Sequence, residues 1–305
     1  MKVILSGGTG FLGRPLCAQL ASGGHEVVVL TRGTSARSAI GRTVTWRPDE
    51  PGVPGRGWMA EVDGADVVVN LAGDGIADKR WTARRKDVLR QSRILSTRHL
   101  VAAIRAAPRK PALFVSGSAI GYYGDTGDAP QDESFPPGSD FLATLCVDWE
   151  AEAHAVSALA CRLVVIRTGL VLARDGGVLG KMIRPYRLLV GGPLGSGRQY
   201  MSWIHRDDWI GLAQWALDHP ALTGAVNATA PQPVTNGEFS ATLARVLKRP
   251  NVVRAPGFAL RAALGEMADV ALLDGQRVIP KRALESGYVF KYPELEAALR
   301  AALRQ

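Results

Sequence analysis

The chain has 305 residues, 47% hydrophobic and 21% charged, the proportions of a soluble globule long enough for a large core and a smaller lobe. No apolar run approaches the ~18 residues of a membrane span, the first residues read as a strand and glycine loop rather than a secretory leader, and Cys17, Cys146 and Cys161 are too few and scattered for a disulfide framework or a zinc cluster. The formal charge is +9, yet no helix-turn-helix, zinc-finger or RNA-binding signature accompanies it, so the expected partner is an anionic small molecule in a reducing cytoplasm, with no nucleic acid, membrane or metal.

The β-branched run Val3-Ile4-Leu5 stops at Gly7, Gly10 and Gly13, and a helical pattern follows over about residues 10–21. With a strand before and a helix after, the G-x-x-G-x-x-G spacing predicts a dinucleotide site. Gly7 makes a tight turn, Gly10 admits a pyrophosphate, and Gly13 lets the helix pack on its strand. Thr9, Phe11 and Leu12 share that turn, whose free N–H groups and helix dipole favour phosphates. The bland alternative is a strand–helix turn that binds nothing.

Glu26–Thr31 reads as a second buried strand. Sheets that bind NAD usually carry an Asp or Glu at its end for the ribose 2′-hydroxyl, but Leu30-Thr31-Arg32-Gly33 has no carboxylate. Arg32 instead offers a planar cationic fork suited to a 2′-phosphate and Thr31 a hydroxyl, with Arg14 and Arg37 as further cations, so the expected cofactor is NADP(H). The competing fate of Arg32 is a solvated loop arginine.

Thr43–Trp46 is a short third strand, and Ala65–Leu71 a fourth that runs into Asn70-Leu71-Ala72-Gly73. A helical pattern over about Thr82–Ala106 carries many of the basic residues between Lys79 and Arg98, read mostly as a solvated face. Ala112–Ser116 is the fifth strand, residues 121–139 a loop, Leu145–Leu159 a helix and Cys161–Arg167 another strand. This alternation predicts an α/β fold, a doubly wound parallel sheet.

Beyond Gly169 a glycine-rich insertion over 174–201 breaks the rhythm. Asp207 or Asp208 is expected to cap a helix through Leu217, Ala225–Thr229 to form a strand, and Thr235-x-x-Glu238 to be a capping box. The expected division is a Rossmann domain over 1–174 plus about 203–230, and a smaller C-terminal α/β lobe over 175–202 and 231–305.

Gly7–Gly13, Asn70-Leu71-Ala72-Gly73, Ser116-Gly117-Ser118 and Tyr122-Tyr123-Gly124 together resemble an extended short-chain dehydrogenase/reductase of the NAD-dependent epimerase/dehydratase kind. Arg80-Trp81-Thr82, Ser92-Arg93, Asp140-Phe141-Leu142, Trp149-Glu150, Arg167-Thr168-Gly169, the 191–197 glycine run, Ser202-Trp203-Ile204-His205 and Gln276–Pro280 are similar to an atypical subgroup of epimerase family proteins with a small terminal domain. The resemblance implies that Leu71, Ala72 and Gly73 line the adenosine and pyrophosphate side. Ser116, Gly117 and Val171 would lie towards the nicotinamide, and Arg93 would support the cofactor or the strand ends.

The wider family uses Tyr-x-x-x-Lys as its acid/base pair, but the window from Phe141 to Glu150 contains neither residue. Ser118 stands near the family's catalytic Ser/Thr, and Tyr122 is a replacement hydroxyl or simply packs over the pocket. Cys146 is a thiol acid/base or a small buried hydrophobe. His205 is a titrating group or a residue bonded to a helix N-terminus. Glu150 offers a carboxylate or merely neutralises an arginine. Two functions follow: an NADP(H)-dependent oxidoreductase or epimerase-like enzyme on a small polar metabolite, compatible with a homodimer, or an NADP(H)-binding sensor or scaffold.

Overall fold

The computed structural model describes residues 1–33, 37–38 (backbone only) and 41–304, so the Arg37 side chain lies outside the described residues. The strands in chain order are β1 (Lys2–Ser6), β2 (Glu26–Thr31), β3 (Arg37–Ser38), β4 (Gly41–Thr45), β5 (Val67–Asn70), β6 (Leu113–Ala119), β7 (Gly127–Gln131), β8 (Arg162–Thr168), β9 (Leu170–Ala173), β10 (Tyr200–Met201), β11 (Trp203–His205), β12 (Gly224–Ala228), β13 (Val234–Thr235) and β14 (Gln276–Val278). Seven of them form a parallel sheet in the order β4-β2-β1-β5-β6-β8-β12, with β3 antiparallel at the β4 edge.

The direction of winding reverses between β1 and β5, which opens a crevice at their carboxyl ends. Register brings Ser6, Asn70 and Ser116 into one row there. The strands are apolar on both faces because both are covered. Val3 and Leu5 share a core with Leu16 and Leu20 of α1 (Gly13–Ser22) and with Trp209 and Leu212. Ile4, Val28 and Val68 belong to the opposite core, with Trp58 and Met59 of α2 (Gly57–Val62) and Leu100 and Ile104 of α3 (Ala83–Ala106).

Three sequence expectations need correcting. The helix expected from Leu145 begins at Phe141, because the Asp140 carboxylate accepts from the backbone N–H groups of Leu142 and Ala143 (2.7 and 2.9 Å) and starts α4 (Phe141–His154) a turn early. The stretch expected to be a loop contains β7, paired in parallel with β14 from far along the chain. The helix after β11 is capped by His205 rather than by Asp207 or Asp208. By contrast, Thr235 and Glu238 form the expected capping box of the helix Asn236–Leu247.

A third apolar core lies beside the sheet. It joins Leu179, Ile183 and Tyr186 of α5 (Gly177–Arg187) to Met201 and Trp203, which precede α6 (Arg206–Asp218). Phe239 and Leu243 of α7 (Asn236–Leu247) add to it. After α8 (Gly257–Leu264), α9 (Glu266–Ala268) and α10 (Lys281–Glu285), the stripe Leu295, Ala298, Leu299 and Ala302 of α11 (Leu295–Arg304) closes it. No described helix is long and apolar enough to cross a membrane. Leu299 is fully buried, so Leu299→Ala is expected to lower the unfolding free energy by about 2–5 kcal/mol in urea titrations. A loss below about 1 kcal/mol would mean that α11 does not anchor this core.

Candidate active site at the carboxyl edge of the sheet

The glycine turn is closed by contacts that only glycine permits. Gly7 holds φ at +73°, and a Cβ there would lie 2.5 Å from the Leu71 carbonyl oxygen. A Cβ on Gly13 would come within 2.2 Å of the Gly7 oxygen, so helix and strand approach as the spacing predicts. The Gly10 N–H donates to the Gly7 carbonyl at 2.9 Å, while Thr9 and Gly10 remain exposed. Phe11 and Leu12 pack against the sheet core, and the Phe11 ring also lies against Gly176 and Gly177. A Cβ on Gly8 would clash with Val29 at 2.7 Å, a requirement that the three-glycine pattern does not contain.

At the end of β2 Arg32 is exposed, and the Thr31 hydroxyl accepts from the Gly33 N–H at 3.3 Å. Arg32 adds to the field on Asp74, whose carboxyl is held low first by a hydrogen bond from Arg85. Arg14 is exposed at the start of α1.

The end of β5 is braced from two sides. The Asn70 side-chain oxygen accepts from the Ser6 hydroxyl (2.6 Å) and the Ala72 N–H (3.2 Å), and its amide donates to Thr97 (2.9 Å). Arg93 reaches from α3 to the Leu89 and Asp74 carbonyls, both at 3.0 Å, and lies against Gly73. Arg93 therefore supports the strand-end loop of Leu71, Ala72 and Gly73. Trp149 closes the other side, donating to Thr97 at 2.9 Å and standing against Gly117.

One strand further, β6 carries the charged centre of the site. The Ser118 hydroxyl donates to Glu150 Oε1 at 2.6 Å. Arg167, near the end of β8, donates to both Glu150 oxygens at 2.9 and 2.8 Å and to the Tyr123 hydroxyl at 3.0 Å. Tyr123 in turn donates to Asn227 on β12 at 2.8 Å. Burial would lower the Arg167 guanidinium, but the paired carboxylate more than offsets it and holds it up. Ser116 is buried, with its hydroxyl donating to the Gly117 carbonyl, and the Val171 side chain belongs to the sheet core.

The other candidates differ in what their surroundings allow. Tyr122 is half-buried, with the Arg167 guanidinium 3.4 Å from its ring centroid. Burial pushes the Tyr123 hydroxyl up to about 12, so it stays neutral. Burial, then the Glu150 charge, pushes the Cys146 thiol up to about 12 as well, and it donates to the Ala119 carbonyl. Cys146 thus sits in the window as a buried thiol, without the thiolate that nucleophilic or base chemistry needs.

His205 is buried, and its Nδ1 accepts the Asp207 N–H at 3.1 Å while its ring stands 4.1 Å from that of Tyr292. It is the cap of α6. Burial pushes it down to about 4 against the pull of Asp207, so it is neutral at physiological pH. Among the described residues no group of His, Cys, Asp and Glu could hold a metal. From sequence, Glu150 is only an offered carboxylate or an arginine's counter-ion, and Arg167 and Asn227 have no role. The available signal is an arginine near the end of an otherwise apolar strand, which requires a buried carboxylate.

The model of the NAD-dependent epimerase/dehydratase family matches residues 3–228, and a domain of unknown function, DUF1731, matches residues 255–302. The epimerase family protein SDR39U1 homolog of Arabidopsis thaliana, chloroplastic, is 42% identical over the whole chain and 87% of its own length. Human epimerase family protein SDR39U1 is 38% identical over 98% of this chain and 99% of its own. Among solved structures, human SDR39U1 (isoform 2) with NADPH superposes with a TM-score of 0.89 at 35% identity, covering all of both chains. A Corynebacterium glutamicum nucleoside-diphosphate sugar epimerase superposes at 0.79 and 31% identity, covering 99% of this chain and 58% of that one. The chain belongs to the NAD-dependent epimerase/dehydratase family.

The His205 cap has a pH signature. Its folded value, about 4, lies below the ordinary 6.5, so as pH falls through that window the unfolded chain takes up a proton the folded chain refuses. The stability tied to His205 is therefore present above pH 6.5 and lost towards pH 4, at up to ~1.4 kcal/mol per unit. His205→Asn keeps a capping acceptor without titrating. Urea unfolding across the window should show a shallower acid-side loss for the variant; equal slopes would assign the loss to other groups.

Proposed function

We propose that the chain is an NADP(H)-dependent oxidoreductase with epimerase- or dehydratase-like chemistry on a small polar metabolite, working without the Tyr-x-x-x-Lys pair. The observation that carries this reading is the placing of a dinucleotide-binding turn and the Ser118–Glu150–Arg167 set at one carboxyl edge. The turn suits the cofactor because its outer side is open: Thr9 and Gly10 are exposed, and a Cβ on Gly10 would meet only the Gly7 oxygen, at 3.1 Å. The N–H groups of the turn and of the start of α1 would hold the pyrophosphate, and Leu71, Ala72 and Gly73 the adenosine side. Ser116, Gly117 and Val171 would line the nicotinamide side. Arg32 and Thr31 suit a 2′-phosphate, and NADPH is the ligand named with the human relative.

When bound, the nicotinamide supplies hydride exchange. The chain's part is proton handling and orientation. Ser118 gives its hydrogen to Glu150, which leaves its oxygen free to accept from a substrate hydroxyl. With Glu150 kept as a carboxylate by Arg167, Ser118 Oγ orients the substrate hydroxyl. As the substrate is oxidised its proton passes to the half-buried Tyr122 hydroxyl, which gives its own to water, and reduction runs the transfer back. Arg167 fixes the carboxylate geometry, and Tyr122 is the second hydroxyl at hand. Three free, buried cysteines fit a reducing compartment, for which we take the cytoplasm.

One observation favours a non-catalytic NADP(H) sensor or scaffold. The cavity beside Tyr122, lined by Gly121, Asp140, Leu142, Val270 and Asp274 among others, has a volume of only about 10 Å³, and part of its wall is the C-terminal segment. Typical small-molecule sites are roughly 300–1,000 Å³.

Two experiments test the proposal. Titrating NADPH and NADH into wild type should show a preference for NADPH of roughly 10- to 150-fold, the size of a charge-assisted contact, and Arg32→Asp should abolish it. Equal wild-type affinities, or a variant that keeps the preference, would remove Arg32 as the discriminator. With a substrate found by following NADPH consumption across polar carbonyl compounds, Ser118→Ala should lower kcat by about 10²–10⁴-fold, with a loss also for Tyr122→Phe. Cys146→Ala should keep most of the turnover; a folded, cofactor-bound but inactive Cys146→Ala protein overturns the assignment, and no consumption of any compound selects the sensor.

A further inference from the structure

Two loops of the small lobe form one surface. Leu188, Leu189 and Val190, just after α5, are 73%, 56% and 51% exposed, and Val252 and Val253, after α7, are 75% and 43% exposed. The loops are stitched together: the Val253 N–H donates to the Gly191 carbonyl at 3.3 Å, and the Tyr186 hydroxyl lies 3.4 Å from Asn251 Oδ1. Leu189 keeps a left-handed φ of 63°, a conformation that usually falls to glycine, so the chain accepts some strain to hold an apolar side chain at this tip.

The two segments that carry the tip have charges of one sign. No Asp or Glu occurs between Asp175 and Asp207, or between Glu238 and Glu266, although these stretches contain Arg184, Arg187, Arg198, Lys248, Arg249 and Arg254. All six are exposed, and among the described residues none has a carboxylate partner. Elsewhere many basic residues are paired, as Arg90 with Asp148 and Arg98 with Glu152.

We infer that this face docks onto an anionic lipid surface, with the leucine and valine tips seated at the headgroup–acyl boundary and the six cations among lipid phosphates. An apolar tip on segments that carry exposed, unpaired cations is the complement of such an interface. A second copy of this chain on the same patch would set like charges against each other, and the tips have no aromatic side chains on which bases could stack. This inference departs from the expectation of no membrane partner; no described helix is long and apolar enough to cross a membrane, and a surface contact requires none.

The test is co-sedimentation of the NADPH-saturated full chain with vesicles of phosphatidylcholine alone or mixed with phosphatidylglycerol. Binding is expected only to the mixed vesicles and should weaken as salt rises, and each cation removed should weaken it about five-fold. Leu188→Asp/Val252→Asp should reduce binding about ten-fold or more, and Arg184→Glu/Arg187→Glu/Lys248→Glu should abolish it, with NADPH affinity and thermal unfolding unchanged in both. Arg105→Glu/Arg109→Glu, at the amino edge of the sheet, should leave binding nearly intact. No binding to mixed vesicles, equal loss with the amino-edge variant, or binding indifferent to Leu188→Asp/Val252→Asp would overturn the inference. So would a dimer in solution that Leu188→Asp/Val252→Asp dissociates, since the patch would then be covered by a second copy.

Discussion

The buried pairing of Arg167 with Glu150 is the constraint on which the carboxyl edge depends. Taking two charges out of water costs several kcal/mol per ion, and their attraction offsets this only when the remaining hydrogen bonds are also made. Here they are made. Glu150 accepts twice from Arg167 and once from Ser118, and Arg167 gives its third contact to Tyr123. The pair therefore ties α4 to β8, Ser118 ties both to β6, and Tyr123 with Asn227 extends the tie to β12. Loss of either charge would strand the other, at a cost on the order of 3–5 kcal/mol, and would release the Ser118 hydroxyl from its fixed orientation.

A neutral counterpart runs along the glycine-turn side of the crevice. Ser6, Asn70, Thr97 and Trp149 form a chain of hydrogen bonds from β1 through β5 and α3 to α4, so the strand ends beside the glycine turn are held before any ligand arrives. Arg93 completes that frame by holding the Asp74 carbonyl. Preorganisation of this kind reduces the ordering that binding must otherwise supply. It also gives the cations different roles. Arg93 and Arg167 hold the frame, while Arg32 at the end of β2 keeps an exposed head.

The parallel sheet was legible because its strands are short unbroken apolar runs, and the glycine turn because each spacing answers a steric need. What stayed hidden depends on partners distant in sequence. β7 exists through its pairing with β14, and its own sequence, Gly127–Gln131, has no strand pattern. The start of α4 turned on one capping carboxylate, Asp140, and that of α6 on a histidine, outside the usual Ser, Thr, Asp and Asn caps. Arg167 meets Glu150 across a helix-to-strand connection, and no local rule specifies that meeting.

Charge was the property that sequence reading resolved least, because a net value cannot say which charges cancel. The arginines of α3 read as a solvated face, yet Arg90 and Arg98 meet Asp148 and Glu152 of α4, Arg85 meets Asp74, and Lys86 meets Glu266. Exposed pairs of this kind contribute little stability each, about 0–1 kcal/mol, but they cancel the field of that face. Uncancelled charge remains on the loops after α5 and α7, where the described cations have no carboxylate partner. A positive potential concentrated in this way acts on anions at a distance of about one Debye length, so the +9 of the chain has its effect where partners are missing rather than where arginines are most dense.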